Sequence, residues 1–181
     1  MKGLVFSEFL EFVEDRYSPE MVDDIIETTD LPSGGIYTSV GTYRHHELLY
    51  LVAALSEMSN VPAPDLVRAF GHHLFRRLVT SYPHFTSAAD NAFDFIRSVE
   101  DHIHVEVRKL YPDAELPEFE FASPSPEQLI VTYRSQRALG DLALGMMEGA
   151  CEHFGEEISI QRDTEFRSYG SAMRFVLTMK E

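Results

Sequence analysis

Hydrophobic residues in the first two-thirds of the chain recur at steps of three and four, the spacing that places them on one face of an α-helix. Residues suited to helix ends separate these runs: Ser18 and Pro19 favour a helix start, and Pro83 favours a helix end. The predicted helices cover Leu4 to Tyr17, Pro19 to about Thr29, His45 to Ser59, Ala63 to Tyr82 and Ala92 to about Leu110. Between the second and third of them, loop or short extended structure is expected.

The pattern changes to β-type in the last third of the chain. Glu118–Phe121 and Gln128–Ser135 are β-rich or alternate between apolar and polar residues, and Ser123 to Pro126 supplies turn residues between them. The remaining predicted elements are a helix over Leu139–Phe154 and two strands over Glu157–Asp163 and Ala172–Met179, joined by a polar turn that contains Gly170. This order predicts one α+β domain, in which a helical N-terminal part packs on a C-terminal antiparallel sheet with a crossing helix.

The charge and the composition of the chain indicate which binding partners and which cellular compartment to expect. The formal net charge is −15, from 15 basic and 30 acidic residues, and such a balance repels nucleic acid and anionic membrane surfaces. Cys151 is the only cysteine, so the sequence offers neither an internal disulfide nor a cysteine-rich zinc site. The sequence contains no signal peptide and no apolar run long enough for a membrane span, so a cytoplasmic protein is expected.

Eight histidines raise the question of metal binding. The neighbours His45 and His46, and likewise His72 and His73, point about 100° apart on a helix, so neither pair can chelate one ion. His104 differs because Ile103 and Val107 place it beside the apolar stripe of its predicted helix. An imidazole there would emerge into a pocket and could bind a metal, although a hydrogen-bonded core histidine remains the alternative.

Tyr133, Ser135 and Arg137 occupy every second position of a predicted strand and would therefore share one face. Arg can donate two parallel hydrogen bonds to a carboxylate, and the two hydroxyls can add further donors. A solvated polar face is the alternative interpretation of the same pattern. Combined with His104, the clamp suggests haem, whose iron needs an imidazole and whose edge carries two propionates.

The whole chain resembles bacterial haem-nitric oxide/oxygen-binding (H-NOX) domains. In this resemblance His104 matches the proximal iron ligand, and Pro117 matches the proline that presses on the porphyrin. Tyr133, Ser135 and Arg137 match the propionate-binding motif of the family. The resemblance implies a non-covalent haem b buried between a distal helical subdomain, about residues 1–65, and a proximal helix-and-sheet subdomain, about residues 66–181.

The resemblance also carries an expectation about the gas that binds. Relatives that hold oxygen stably use a distal tyrosine, and the matching position here is Leu142. The other distal positions are Phe9 and Leu74, and Val5 is expected at the cofactor site as well. Bound oxygen benefits from a hydrogen-bond donor, whereas NO binds ferrous iron without one. An apolar wall therefore predicts a site for NO, and also CO, that discriminates against oxygen.

The family implies that NO releases His104 from the iron and that the helical part then shifts, with Gly71 as a flexing point. The expected recipient is a separate protein, either a histidine kinase or a cyclic-di-GMP synthase or phosphodiesterase. Two alternatives stay open. A haem enzyme, such as a peroxidase or an NO-consuming enzyme, needs a distal acid–base group, for which His72 or His73 is a candidate. A haem-free interaction module of the same fold is the other alternative.

Overall fold

The computed structural model describes residues 1–137, 139–163, 166 and 172–180. The helices in this part of the chain are α1 (Gly3–Arg16), α2 (Pro19–Glu27), α3 (His45–Ser59), α4 (Ala63–Ser81), α5 (Ala92–Ser98), α6 (His104–Leu110) and α7 (Gly140–Phe154). The strands are β1 (Glu118–Ser125), β2 (Gln128–Arg134), β3 (Ile158–Arg162) and β4 (Met173–Met179). The predicted α+β class is confirmed, and most predicted elements lie within two residues of their observed bounds.

Local chemistry accounts for the helix ends that the sequence marks. The Ser18 hydroxyl accepts a hydrogen bond from the Met21 amide at 3.2 Å, and Pro19 occupies the first helical position of α2. Helix α3 ends at Ser59, and the next residue, Asn60, adopts the left-handed conformation with φ of 56°. None of the helices in the described part of the chain has the length and apolar composition of a membrane span.

The helix expected from Ala92 to Leu110 is continuous but not regular. A π-helical turn over Val99–Ile103 joins α5 to α6 and ends directly before His104. Such a turn widens the helix by one residue, and it occurs often at functional sites. The extra residue shifts the apolar stripe around the helix, but α6 spans only His104–Leu110, which is too short for the sequence pattern to reveal the shift.

The sheet has the order β1-β2-β4-β3, and all neighbouring strands are antiparallel. Its inner face carries apolar side chains such as Leu129, Val131, Phe175 and Leu177, which pack with residues of α7 in one hydrophobic cluster. The expected turn at Ser123–Pro126 is wrong, because β1 continues to Ser125 with an irregular register and the turn comes after it. The expected turn that contains Gly170 lies outside the described residues.

Helix α4 joins the two hydrophobic clusters of the molecule. Leu74 belongs to the cluster built from α1 to α4, and its neighbour Phe75 belongs to the cluster of α5, α7 and the sheet. The helices α4 and α7 approach closely at two glycines: a Cβ on Gly71 would lie 2.3 Å from the Leu142 carbonyl oxygen, and one on Gly145 would lie 1.9 Å from that of Arg68. The expected subdomain boundary near residue 65 stays a prediction.

Candidate functional site

A cavity of about 780 Å³ lies among α1, α4, α6, α7 and the first two strands. Its size falls in the range of pockets that bury a ligand of drug or cofactor size. Apolar side chains make up most of its wall, and polar side chains gather at the end where the N-terminus, the start of α3 and the residues after β2 meet. This combination suits a large, mainly apolar ligand with polar groups at one edge.

His104 is the buried histidine of this wall, with 8% of its surface exposed. Its Nδ1 lies 3.1 Å from Oε2 of Glu100, one helical turn earlier, and its ring packs against Phe119. Burial lowers the pKa of His104, although Glu100 opposes the shift. A neutral imidazole that donates through Nδ1 keeps its Nε2 lone pair for a metal, and the carboxylate fixes this tautomer.

The expected clamp residues all line the cavity, but the strand geometry assumed for them is wrong. Strand β2 ends at Arg134, so Ser135 and Arg137 lie in the turn after it and do not alternate along a strand with Tyr133. The turn itself brings the three together: the Ser135 hydroxyl accepts from the Arg137 amide at 3.2 Å. Burial raises the pKa of Tyr133, and hydrogen bonds with Ser135 and the Leu139 backbone oppose the shift.

Arg137 already holds a carboxylate in this structure. Its guanidinium pairs with the side chain of Glu115 and donates to the Glu115 carbonyl oxygen at 2.6 Å. The Glu115 side chain is 83% exposed, so its carboxylate can give way at little cost. Burial lowers the pKa of the Met1 ammonium and the pKa of His45. The positive charge of Arg137 lowers both further. This end of the cavity therefore favours anions.

Residues 2–162 of the chain match the family described as Haem-NO-binding (HNOB). The chain belongs to the H-NOX (HNOB) family. Among solved structures it is similar to the unliganded Fe(II) H-NOX protein from K. algicida, with 40% identity and a TM-score of 0.92 over 100% of this chain and 97% of that chain. It is also similar to the H-NOX protein from S. oneidensis in the Fe(II)NO state, with 27% identity and a TM-score of 0.88 over 100% of both chains.

A third structure is the CO-bound Fe(II) H-NOX from Shewanella woodyi with IWP-051, at 39% identity and a TM-score of 0.85 over 99% of this chain and 95% of that one. A curated relative is soluble guanylate cyclase gcy-33 of Caenorhabditis elegans, 26% identical over 139 residues. That match takes in 76% of this chain, but only 14% of the length of the cyclase. The chain is therefore an H-NOX gas-sensor domain, and haem binding is implied by its family.

The residues of this chain fit haem on their own chemistry. One neutral, buried imidazole faces a large apolar cavity, and a guanidinium that binds carboxylates stands at the cavity's polar end. Among the described residues, no three His, Cys, Asp or Glu side chains converge on a metal ion. Haem needs only one protein ligand to its iron, so a single histidine suffices.

The expected distal residues divide into two groups. Val5, Leu74 and Leu142 line the cavity, whereas Phe9 is not among the described residues of its wall. The Phe9 ring packs instead between Phe12 and Phe70, with edge contact to Phe70 at a centroid distance of 5.2 Å. Pro117 lines the cavity directly before β1.

His72 and His73 are likewise absent from the wall formed by the described residues. The His72 Nε2 lies 2.7 Å from a carboxylate oxygen of Glu152 on α7. The His73 ring packs on Phe12, and its Nε2 lies 3.8 Å from Glu8. Neither histidine is therefore placed to act as a distal acid or base.

Sequence reasoning missed several residues of the site. Glu100 had a signal, because an acid four residues before a histidine shares its helix face. Glu115, His45 and the Met1 ammonium had none, since each reaches the cavity through contacts between distant parts of the chain.

Proposed function

We propose that this protein is a haem-based NO sensor, which binds NO at ferrous haem b, excludes O₂ and passes a conformational shift to a separate partner protein. The observation that carries the proposal is His104: a buried imidazole, fixed by Glu100 through Nδ1, with Nε2 available at an apolar cavity. The relative from S. oneidensis with NO and that from S. woodyi with CO support these gases as ligands.

The residues of the chain divide the work of holding the cofactor. His104 would bind the iron, and Tyr133, Ser135 and Arg137 would hold the propionates, with Arg137 exchanging Glu115 for them. Pro117 would press on the porphyrin from the wall before β1. When bound, haem supplies a ferrous iron with an open position for a diatomic gas. The protein's part is to fix the imidazole, neutralise the carboxylates and keep water away from the iron.

Gas discrimination follows from the wall that Val5, Leu74 and Leu142 form. These side chains have no hydrogen-bond donor, so they offer no stabilisation to the partial negative charge that bound oxygen carries. NO requires no such donor. The wall therefore supports NO binding in the presence of air, with CO as a further ligand.

His104→Gly tests the ligand assignment. The variant should lose the proximal bond and recover a haem spectrum on addition of imidazole, because the small molecule can occupy the space of the missing ring. His102→Gly is a matched control, since His102 is exposed and lies two residues away in the π-helical turn. If His104→Gly kept the unaltered spectrum without imidazole, the assignment would be wrong.

The partner is proposed by class: a histidine kinase, or a cyclic-di-GMP synthase or phosphodiesterase. The test compares the activity of such a partner with the ferrous protein before and after NO. Equal activity in both states, with NO uptake verified by absorption, would refute signalling to that partner. Steady consumption of NO or peroxide by the purified protein would favour the enzyme alternative.

A further inference from the structure

Lys2 makes an unusual set of contacts for the second residue of a chain. Its side chain is only 13% exposed, and its ammonium donates to the Thr42 hydroxyl at 2.9 Å and to the Val40 carbonyl oxygen at 3.3 Å. The same ammonium reaches both carboxylate oxygens of Asp113, at 2.6 and 2.8 Å. Asp113 lies three residues after α6, the helix that begins with His104.

Asp113 is held from two sides. In addition to the bonds from Lys2, it accepts a hydrogen bond from the Thr42 hydroxyl at 2.8 Å. These two side-chain hydrogen bonds hold the pKa of Asp113 at about 2, so the carboxylate stays charged at any pH near neutrality. An exposed ion pair normally contributes little. Here the Lys2 side chain is mostly buried, and its ammonium has acceptor atoms on three residues: Val40, Thr42 and Asp113.

Tyr111 extends the contact to the end of α6. Its amide closes the helix by donating to Val107 at 2.8 Å, and its ring lies 5.5 Å from the Lys2 ammonium. Burial raises the pKa of the Tyr111 phenol, and the nearby Tyr82, which comes directly after α4, adds to the shift. The end of the His104 helix is thereby tied to the residue directly before α1.

Backbone hydrogen bonds hold the residues on either side of Lys2. Met1 and Tyr43 exchange two backbone hydrogen bonds, with the Met1 ammonium donating at 2.8 Å and the Tyr43 amide at 2.9 Å. Gly3 donates to Gly41 at 2.8 Å, and a Cβ on Gly3 would lie 1.9 Å from the Thr38 carbonyl oxygen. Lys2 is therefore held by backbone hydrogen bonds of the residues on both sides of it.

We propose that Lys2 and Asp113 are positioning residues for His104: they form a latch that fixes the C-terminal end of α6 against the N-terminus. The latch consists of Lys2, Thr42, Tyr111 and Asp113, all of which line the cavity. With the latch closed, α6 presents the imidazole to the iron. With the latch open, the helix is free to carry the imidazole away. The inference rests on the proposed function and adds a control point at the opposite end of α6 from the ligand.

Hydrogen–deuterium exchange in the haem-loaded protein tests the latch directly. Lys2→Met and Asp113→Asn should each speed exchange of the amides of residues 104–111 by about fivefold, while α7 stays unchanged. The double variant should add nothing further, because both changes remove the same bond. The exchanged pair Lys2→Asp with Asp113→Lys should restore part of the protection. Lys109→Met is the control, since it removes an exposed ion pair from α6 itself.

A spectroscopic measurement separates positioning from general stability. The iron–histidine stretching frequency of the ferrous protein should fall in Lys2→Met and Asp113→Asn and stay unchanged in Lys109→Met. Unchanged exchange and frequency in a haem-loaded variant would overturn the latch alone. Equal acceleration in α7 would also overturn it, because it would indicate global destabilisation. If the unaltered protein took up no haem, that result would overturn the proposed function and the latch with it.

Discussion

Glu100 offers a sharp test of how the chain tunes its iron ligand, because its substitution by Gln keeps the shape and removes the charge. Oε2 of Glu100 lies 3.1 Å from His104 Nδ1 and also accepts from the Phe119 amide at 3.3 Å. Oε1 lies 3.5 Å from the Arg108 guanidinium. The carboxylate therefore connects the histidine, β1 and α6, and we expect Glu100→Gln to weaken the bond between His104 and iron without unfolding the protein.

The expected size follows from the kind of hydrogen bond that changes. A bond to a charged acceptor contributes roughly 1.5–3 kcal/mol and a neutral one roughly 0.5–1.5 kcal/mol, so the substitution removes about 1 kcal/mol. That corresponds to about a fivefold loss in haem affinity, which is less than the roughly 10–100-fold loss typical when the partner of a metal-binding histidine is mutated. Glu100→Ala, which removes the acceptor altogether, should cost more.

The rate of haem transfer to an excess of apo-globin measures this loss, and the iron–histidine stretching frequency shows that the bond itself has changed. We expect faster transfer and a lower frequency in Glu100→Gln. Glu106→Gln is the control, because Glu106 lies on the same helix and pairs with Lys109 instead of the histidine. If Glu100→Gln behaved like Glu106→Gln in both measurements, the role assigned to Glu100 would be refuted.

Two further predictions concern the cavity wall and the acid stability. Leu142→Tyr introduces a donor into the apolar wall and should permit some oxygen binding, visible in the absorption spectrum in air; an unchanged spectrum would show that one hydroxyl is not sufficient. Burial lowers the pKa of His73 against the opposing charge of Glu8, so the unfolded chain takes up a proton at higher pH and stability falls as the pH drops below about 6.5. His73→Phe should therefore lose less stability than the unaltered protein between about pH 7.5 and about pH 5.5 in urea unfolding, and equal losses would contradict this assignment.

The elements that sequence predicted well are those whose signal is local. Helix α3 has the predicted bounds of His45 and Ser59, because a continuous apolar stripe and a left-handed Asn60 directly after it define the helix without help from the rest of the fold. The start of α2 was equally clear, since Ser18 and Pro19 act on the backbone next to them. The family resemblance predicted His104 as the iron ligand, and in the structure this side chain is buried, as a metal ligand in an apolar pocket needs to be.

The features that sequence could not predict depend on residues far apart in the chain. Lys2 contacts Asp113, which lies 111 positions later in the sequence. The residues next to each of them contain no pattern that predicts this ion pair. Phe9 was expected at the cavity, but its ring packs against Phe12 and Phe70 and is not among the described residues of the wall. The contact between Arg137 and Glu115 could not be predicted either, because it depends on the end of β2 at Arg134 and on the turn that follows.

The distribution of buried contacts indicates which part of the site can move. The expected flexing at Gly71 stays a prediction. Its missing side chain lets α4 approach the Leu142 backbone, which makes it a close contact between two helices that line the cavity. Over residues 99–110, all of which the structure describes, His104 is the only buried residue. Val99 and Ile103 add partly buried contacts with the core cluster, so the helix segment that carries the iron ligand is attached to the core by only a few side chains. Loss of the His104 contact would therefore change the packing of α6 more than that of α4 or α7, because a short segment with few buried side chains opens at low free-energy cost.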